Sequence, residues 1–190
     1  MSEPTERLEL QDPRLFTFEA RVRDARGGPE SAELVLDRSA FYPEGGGQLA
    51  DQGVLYAQDR EIRVLDVQRE GPVVVHRTDG LIAPGTAVAG KVDRARRLEH
   101  MALHTGQHML SRAFLDVARA ETTSARLGEA AATLDLDRPR IAERLLHEVE
   151  DLVNDVVDDD RPVRASYPTP EALEGLRLRR SPKVREGIRV

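Results

Sequence analysis

Residues 16–92 alternate between apolar and polar positions and predict short β-strands rather than helices. Turn-forming Gly, Pro and Asp residues separate the strands in "RGGPE", "QDR" and "EGP". We therefore expect about six antiparallel strands in a small barrel or sandwich. The candidates are "FTFEARVRDA", "AELVLDRSA", "GVLYAQ", "EIRVLDVQ", "PVVVHRT" and "TAVAGKV".

The period changes to that of a helix between Leu98 and Ala118. With each residue turned by about 100°, one face is small or apolar and is expected to pack on the core. It comprises Ala102, Gly106, Met109, Leu110, Ala113 and Val117. The opposite side is expected to lie outside the buried stripe, and it carries His100, His104 and His108 together with Arg97, Ser111 and Leu115.

A second helix is predicted in "DRPRIAERLLHEVEDLVNDVVDDD", with Asp137 near its N-cap and Pro139 in its first turn. One side of this helix is expected to be buried and the other is acidic. The buried side consists of Ile141, Leu145, Val149, Leu152 and Val156.

Shorter elements surround the second helix. "TTSARLGEAAATLDLD" predicts two strands with a turn at Gly128, and "RPVRASY" and "GIRV" predict strands around a short helix opened by Thr169 and Pro170. Strands alone before residue 93, and strands mixed with helices after it, predict an α+β fold of two domains, 1–92 and 93–190.

The composition narrows the functional class. The 190 residues are 39% hydrophobic and 33% charged, and no apolar run approaches the roughly 20 residues of a membrane span. The first ten residues do not resemble a secretory signal, and the absence of cysteine rules out disulfides. We therefore expect a cytoplasmic protein that does not enter a membrane.

The net charge of −6 argues against a general nucleic-acid binder, including a DNA-binding protein, but the charge is unevenly distributed. Residues 161–190 contain eight Lys or Arg against three Glu, a balance of +5. A basic cluster there could follow a phosphate backbone, or it could be a solvated tail. Its members are Arg177, Arg179, Arg180, Lys183 and Arg185.

Three histidines follow one another at intervals of four residues: His100, His104 and His108. Side chains four apart on a helix are about 6 Å apart along its axis, which lets one pair of imidazoles bind one metal ion. Spacing does not decide which pair binds, and solvated surface histidines would show the same pattern. His76 and His147 have no second ligand at a diagnostic spacing, which favours structural roles.

The stretch "SAFYPEGGGQLADQG" contains three consecutive glycines, Gly45, Gly46 and Gly47, followed by Gln48. Exposed amides in such a loop could bind a phosphate or an oxyanion, and the Gln48 amide both donates and accepts hydrogen bonds. The loop matches neither the dinucleotide fingerprint nor the P-loop, so a long strand connection is an equal alternative.

The glycine loop, "VDRARR" and "HTGQHMLSRAF", in that order, resemble the editing module of alanyl-tRNA synthetases and the freestanding AlaX proteins. The first motif is carried by Tyr42, Pro43, the three glycines and Gln48, with Phe41, Asp51 and Gly53 around them, and the second by His104, Thr105 and His108. The resemblance extends from about residue 12 to 190.

This resemblance implies a small N-terminal β-barrel followed by an α+β editing domain related to threonyl-tRNA synthetase. The implied activity is zinc-dependent hydrolysis of tRNA(Ala) mischarged with serine or glycine, by a freestanding editor. His104 and His108 would bind zinc, and the glycine loop and Gln48 would line the pocket for the aminoacylated end. Tyr42 joins that pocket, Gln48 and Thr105 are the candidate catalytic residues, and Arg94 and Arg97 are candidate phosphate contacts on charge alone.

The chain departs from this pattern in one respect. The family's other two zinc ligands lie in a "CGGTH" motif soon after the strand that "GIRV" would begin, and this sequence contains no cysteine. We expect the remaining ligands beyond Val190. The alternatives are a tRNA- or partner-binding relative that has lost half of its metal site, and an unrelated domain that binds metal through histidines only.

Overall fold

The computed structural model describes residues 3–129, 131–164, 166 and 168–176. Six antiparallel strands close into a barrel, so the predicted α+β fold with its β-barrel is confirmed. The bounds are β2 (Thr17–Gly28), β3 (Ser31–Leu36), β5 (Gly53–Ala57), β6 (Arg60–Glu70), β7 (Val73–Thr78) and β8 (Ala87–Val92). Around the barrel the strands follow the order β2-β3-β7-β6-β5-β8. The short strands β1 (Glu6–Arg7) and β4 (Arg38–Ser39) pair in parallel, and a 3-10 helix spans Leu8–Leu10.

The alternating pattern of each barrel strand separates its interior from its surface. Along β2, Phe18, Ala20 and Val22 are buried, and the polar residues between them are exposed. Because neighbouring side chains of a strand point to opposite faces, this alternation places one apolar row inside the barrel. The interior also receives Leu34, Leu55, Val64, Val67 and Val74, among other apolar side chains.

Gly90 allows Phe18 to pack inside the barrel. The two residues are directly paired between β2 and β8, and a Cβ atom on Gly90 would lie 2.3 Å from a carbon of the Phe18 ring. Phe18 in turn packs edge-on against Phe41, with their ring centroids 5.7 Å apart. The aromatic ring therefore occupies the space that a side chain at residue 90 would need.

We predict that Gly90→Ala lowers the free energy of unfolding by about 1–3 kcal/mol, because the added methyl group overpacks the core against Phe18. Gly28→Ala is the matched control, since a Cβ atom at Gly28 meets nothing within 4 Å. Urea unfolding followed by circular dichroism measures both changes. Equal stabilities of the two variants would contradict this account.

The first helix, α1 (Arg94–Ala118), begins four residues before the predicted start. Asp93 acts as its N-cap, since its Oδ1 accepts a hydrogen bond from the Arg96 amide at 3.1 Å. The predicted core face is wrong in its first half, because Ala102 is exposed and Gly106 and Met109 are only half-buried. Ala113 is buried as expected.

Polar residues form most of the buried stripe of α1. Four polar residues of α1 are buried: Arg97, His100, Gln107 and Ser111. Three of these were predicted on the outer side of the helix, and Gln107 was not assigned to either side. The four follow one another at intervals of three, seven and four residues, which places them on a single helical face. Apolar periodicity therefore missed these polar positions, because burial of a residue such as Arg97 depends on hydrogen bonds to a distant partner, Asp51.

The chain divides into two compact units, one of Met1–Gln107 with Ser124–Asp135 and one of His108–Thr123 with Leu136–Val190. The predicted domains, 1–92 and 93–190, remain a prediction. The two strands predicted around Gly128 are present as β9 (Thr122–Leu127) and β10 (Ala132–Leu136), which form a two-stranded sheet.

The second helix, α2 (Glu143–Asp158), starts later than predicted. Its N-cap is Ala142, and Asp137 instead accepts a hydrogen bond from the Glu121 amide at 2.7 Å. Val149 is buried as predicted, whereas Leu152 is exposed. The apolar stripe of α2 is therefore only partly covered.

The short helix α3 (Pro170–Glu174) is capped by Thr169, whose Oγ1 accepts a hydrogen bond from the Ala172 amide at 3.3 Å. The described residues of "RPVRASY", 161–164 and 166, form no strand. The predicted "GIRV" strand and the basic cluster from Arg177 to Arg185 lie outside the described residues. No helix in the described part of the chain is long and apolar enough to cross a membrane.

Candidate functional site

The consecutive glycines form the tip of a tight turn. Gly45 and Gln48 exchange backbone hydrogen bonds of 3.1 and 3.0 Å across it. The two central residues, Gly46 and Gly47, have φ values of 63° and 82°. A turn with both central φ angles positive strongly favours glycine, which explains why the sequence places two glycines there.

The turn is held against β9 and presents its tip to solvent. The Leu127 amide donates to the Gly47 carbonyl at 3.0 Å, and a Cβ atom on Gly47 would lie 3.2 Å from the Ala125 carbonyl oxygen. Gly46 and Gly47 are exposed, and neither amide donates a hydrogen bond to another described residue. Two fixed donors at the tip suit an anionic oxygen of a ligand.

Tyr42 braces the turn from within the loop. Its hydroxyl donates to the Gly45 carbonyl at 3.1 Å, and its amide donates to Asp51 Oδ2 at 2.7 Å. The Asp51 amide returns a hydrogen bond of 3.0 Å to the Tyr42 carbonyl, which closes the base of the loop. A pocket-lining role for Tyr42 remains a prediction.

Gln48 connects the glycine turn to α1. Its side chain is buried, at 4% exposure, and its Oε1 lies 2.9 Å from Nδ1 of His104. A carbonyl oxygen only accepts hydrogen bonds, so Nδ1 of His104 is the donor in this contact. The imidazole lies near the turn tip, since a Cβ atom on Gly46 would be 3.8 Å from its Cε1.

Arg97 does not have the exposed position expected of a phosphate contact. Its side chain is 2% exposed and forms an ion pair with the fully buried Asp51. Its remaining donors contact the carbonyls of Pro13 at 2.8 Å and Ala40 at 2.5 Å. This burial corrects the assignment of Arg97 to the RNA surface, because each of its three guanidinium nitrogens contacts a protein acceptor.

Arg94 differs from Arg97 in being exposed. Its guanidinium carbon lies 5.6 Å from the centroid of the Phe16 ring, a cation–π distance. A phosphate contact by Arg94 remains a prediction, and this position is compatible with it.

Comparison with known proteins identifies the relatives of this chain. Residues 13–96 match the family described as tRNA synthetases class II (A). Over 182 residues the chain is 40% identical to the alanine–tRNA ligase of Pyrococcus abyssi, an alignment that covers 92% of this chain and 20% of the ligase. The chain is homologous to a segment of alanine–tRNA ligase.

Other alanine–tRNA ligases show the same partial coverage. Identity is 39% over 167 residues with the Halorubrum lacusprofundi ligase, covering 86% of this chain and 18% of the ligase. With the Pyrobaculum neutrophilum ligase, identity is 40% over 171 residues, and the alignment covers 85% of this chain and 18% of the ligase. The chain thus spans about a fifth of the length of these alanine–tRNA ligases. The class II match at 13–96 includes the glycine turn and ends before His104.

His100, the spare histidine of this ligase-related segment, is buried rather than solvated. It is 2% exposed, which corrects the prediction that it lies outside the buried stripe. Burial lowers the pKa of its imidazole, and the charge of Arg96 lowers it further. Its Nδ1 has no hydrogen-bond partner among the described residues, a feature that the sequence did not indicate.

Zinc binding by His104 and His108 remains a prediction from the sequence. His104 and the exposed His108 follow each other by one turn of α1, and Thr105 is half-buried between them. A metal-binding histidine commonly donates its second ring N–H to a carbonyl, as His104 does to Gln48. Within the described residues, no group of three His, Asp or Glu side chains could hold a metal.

Proposed function

We propose that this chain hydrolyses the ester bond of mischarged tRNA(Ala), chiefly that of Ser-tRNA(Ala) and also that of Gly-tRNA(Ala). The observation that carries the proposal is the hydrogen bond between Gln48 and His104, which joins the glycine turn to a potential metal-binding imidazole. Homology to a segment of alanine–tRNA ligases supports tRNA(Ala) as the substrate class. The reaction would belong in the cytoplasm, where translation enzymes of this kind act.

The glycine turn would stabilise the transition state. Water adds to the ester carbonyl, the carbonyl oxygen becomes an oxyanion, and the 3′-terminal ribose oxygen then leaves with a proton. Gly46 and Gly47 are exposed, and their amides would be donors held in place by the backbone of the turn. Preorganised donors of this type stabilise an oxyanion without having to reorganise during the reaction.

His104 and His108 would hold the zinc ion. When bound, zinc supplies a Lewis acid that polarises the ester or lowers the pKa of a water molecule. Gln48 would accept the Nδ1 proton of His104 and so would leave Nε2 as the nitrogen able to bind the metal. We place the remaining ligands outside the described residues.

Selectivity for serine would depend on hydrogen bonds to its hydroxyl. A polar site rejects alanine because the groups that face the missing hydroxyl lose their partner. The side-chain carbonyl of Gln48 accepts a hydrogen bond from His104. The side-chain NH2 group of Gln48 would therefore donate to the serine hydroxyl. The hydroxyl of Thr105, on the same helix, is the other candidate.

Deacylation of purified aminoacyl-tRNAs tests the proposal. With zinc supplied, we expect the chain to hydrolyse Ser-tRNA(Ala) much faster than Ala-tRNA(Ala), because serine has a hydroxyl for the polar site and alanine has none. The control is spontaneous hydrolysis of each substrate in the same buffer. Equal rates for both substrates would disprove the selectivity. Binding of tRNA(Ala) without hydrolysis would instead support a non-catalytic tRNA-binding module.

A further inference from the structure

The loop that carries the glycine turn is attached to α1 at two places. Asp51, at the base of the loop, binds Arg97, and Gln48, next to its tip, binds His104. Arg97 and His104 are seven residues apart, which is about two helical turns or 10.5 Å along the axis. The loop therefore lies along one face of the helix, and His100, between the two anchors, is buried.

The attachment at Arg97 uses most of the hydrogen-bonding capacity of the guanidinium. Nε lies 3.0 and 2.8 Å from the two Asp51 oxygens, and Nη2 also contacts Oδ2. The other donors reach the carbonyls of Pro13 and Ala40. A planar fork with several fixed donors makes this arrangement specific to arginine, because lysine is a single charged group on a flexible chain.

Asp51 transmits this constraint into the loop. Its Oδ2 accepts the Tyr42 amide at 2.7 Å, and the backbones of Asp51 and Tyr42 are paired. The Tyr42 hydroxyl then reaches the Gly45 carbonyl, the first residue of the turn. A continuous series of hydrogen bonds thus runs from Arg97 through the loop base to the turn that positions Gln48.

We propose that Arg97 and Asp51 are positioning residues that keep the glycine turn in register on α1, so that Gln48 meets Nδ1 of His104. Stability alone does not explain the pair, because a buried ion pair can often be replaced by apolar residues at no cost to the free energy of unfolding. What apolar residues cannot supply is the acceptor for Tyr42 and the directed donors of the guanidinium.

The experiment compares the wild type with Arg97→Met, with Arg97→Lys and with the double variant Asp51→Leu/Arg97→Met. Arg97→Met leaves a buried carboxylate unpaired and is expected to unfold most easily, whereas the double variant removes both charges and restores folding. Arg63→Met is the matched control, since Arg63 binds Asp79 at 2.6 Å on the exposed surface of the barrel.

Two measurements report on position rather than on stability. Nitrogen-15 NMR identifies which nitrogen of His104 carries the proton, and amide hydrogen exchange follows the glycine turn. In the folded double variant we expect His104 to lose its preference for a protonated Nδ1 and the Gln48 amide to exchange faster. Wild type and Arg63→Met should be indistinguishable, and Arg97→Lys should resemble the double variant.

The kinetic measurement rests on the proposed function. We expect kcat for Ser-tRNA(Ala) to fall roughly 100-fold in the double variant, the scale of a displacement of about 1 Å in an active site, with a smaller change in KM. A double variant with wild-type tautomer and exchange rates would overturn the positioning proposal. An inactive wild type with an intact Gln48–His104 bond would overturn only the proposed hydrolysis, and the NMR comparison would still decide the role of Arg97.

Discussion

Replacement of His104 by alanine is expected to lower kcat/KM for Ser-tRNA(Ala) deacylation by more than roughly 100-fold. Loss of a residue that only hydrogen-bonds a metal-binding histidine lowers activity by up to about 100-fold, and loss of the histidine itself should cost more. The variant removes the imidazole proposed as a zinc ligand. It also leaves the buried carbonyl of Gln48 without its donor. Zinc bound per chain should fall in the same variant, so one substitution affects both the metal and the reaction.

Two further substitutions are compared with His104→Ala. Gln48→Leu keeps the imidazole but removes the acceptor that orients it, and is expected to reduce zinc affinity or activity by about 10–100-fold. His147→Ala is the matched control, because His147 lies exposed on α2. Zinc analysis and deacylation rates are measured on these three variants and on His108→Ala. An unchanged zinc content in His104→Ala and His108→Ala would refute the proposed metal site.

The barrel could be predicted because its strands alternate apolar and polar residues in the sequence. β2 alternates buried apolar and exposed polar residues, so a period of two is visible without knowledge of the tertiary structure. The turn was visible for a related reason, since consecutive glycines indicate backbone conformations that other residues avoid. Gly46 and Gly47 do adopt positive φ angles. What remained open was whether the loop had any role beyond connecting strands.

The buried face of α1 could not be found by the same method. Apolar periodicity selected Ala102 and Gly106, but the helix buries Arg97 and His100. Arginine and histidine are assigned to solvent unless a partner is known, and the partner of Arg97 is 46 residues away in sequence. The buried face could have been inferred from the polar residues that recur at helical spacing, together with Asp51 in the glycine loop as a possible partner of Arg97.

The start of α2 was misplaced for a different reason. Asp137 is a good N-cap residue by type, but its carboxylate accepts the Glu121 amide next to the two-stranded sheet. Ala142 caps the helix without a side-chain hydrogen bond. A tertiary hydrogen bond thus overrode the local preference, and such bonds are not encoded in a short window of sequence.

The barrel encloses one histidine whose protonation should control stability. His76 is fully buried, with Nδ1 3.1 Å from the Leu34 carbonyl and Nε2 2.8 Å from the Ser39 hydroxyl. Since the carbonyl only accepts, Nδ1 carries the proton and Nε2 accepts from Ser39. Burial lowers the pKa of His76 to about 4, although the hydrogen bond to Leu34 opposes the shift.

We predict that this histidine makes the protein less stable as the pH falls from about 6.5 to about 4. Over that range the unfolded chain binds a proton at residue 76 and the folded chain does not, so protonation favours unfolding. Above about pH 6.5 the neutral His76 makes its full contribution to the free energy of unfolding. The loss by about pH 4 amounts to about 3 kcal/mol, from a depression of about 2.5 pKa units.

Urea unfolding of the wild type and of His76→Gln, at pH 7 and at pH 4.5, isolates this contribution. Carboxylates also titrate in this range, but they are common to both proteins, so the difference in pH dependence belongs to residue 76. His76→Gln should be less stable at pH 7 and should lose less stability on acidification. An equally steep slope in His76→Gln would mean that His76 is not the buried neutral group whose protonation drives acid unfolding.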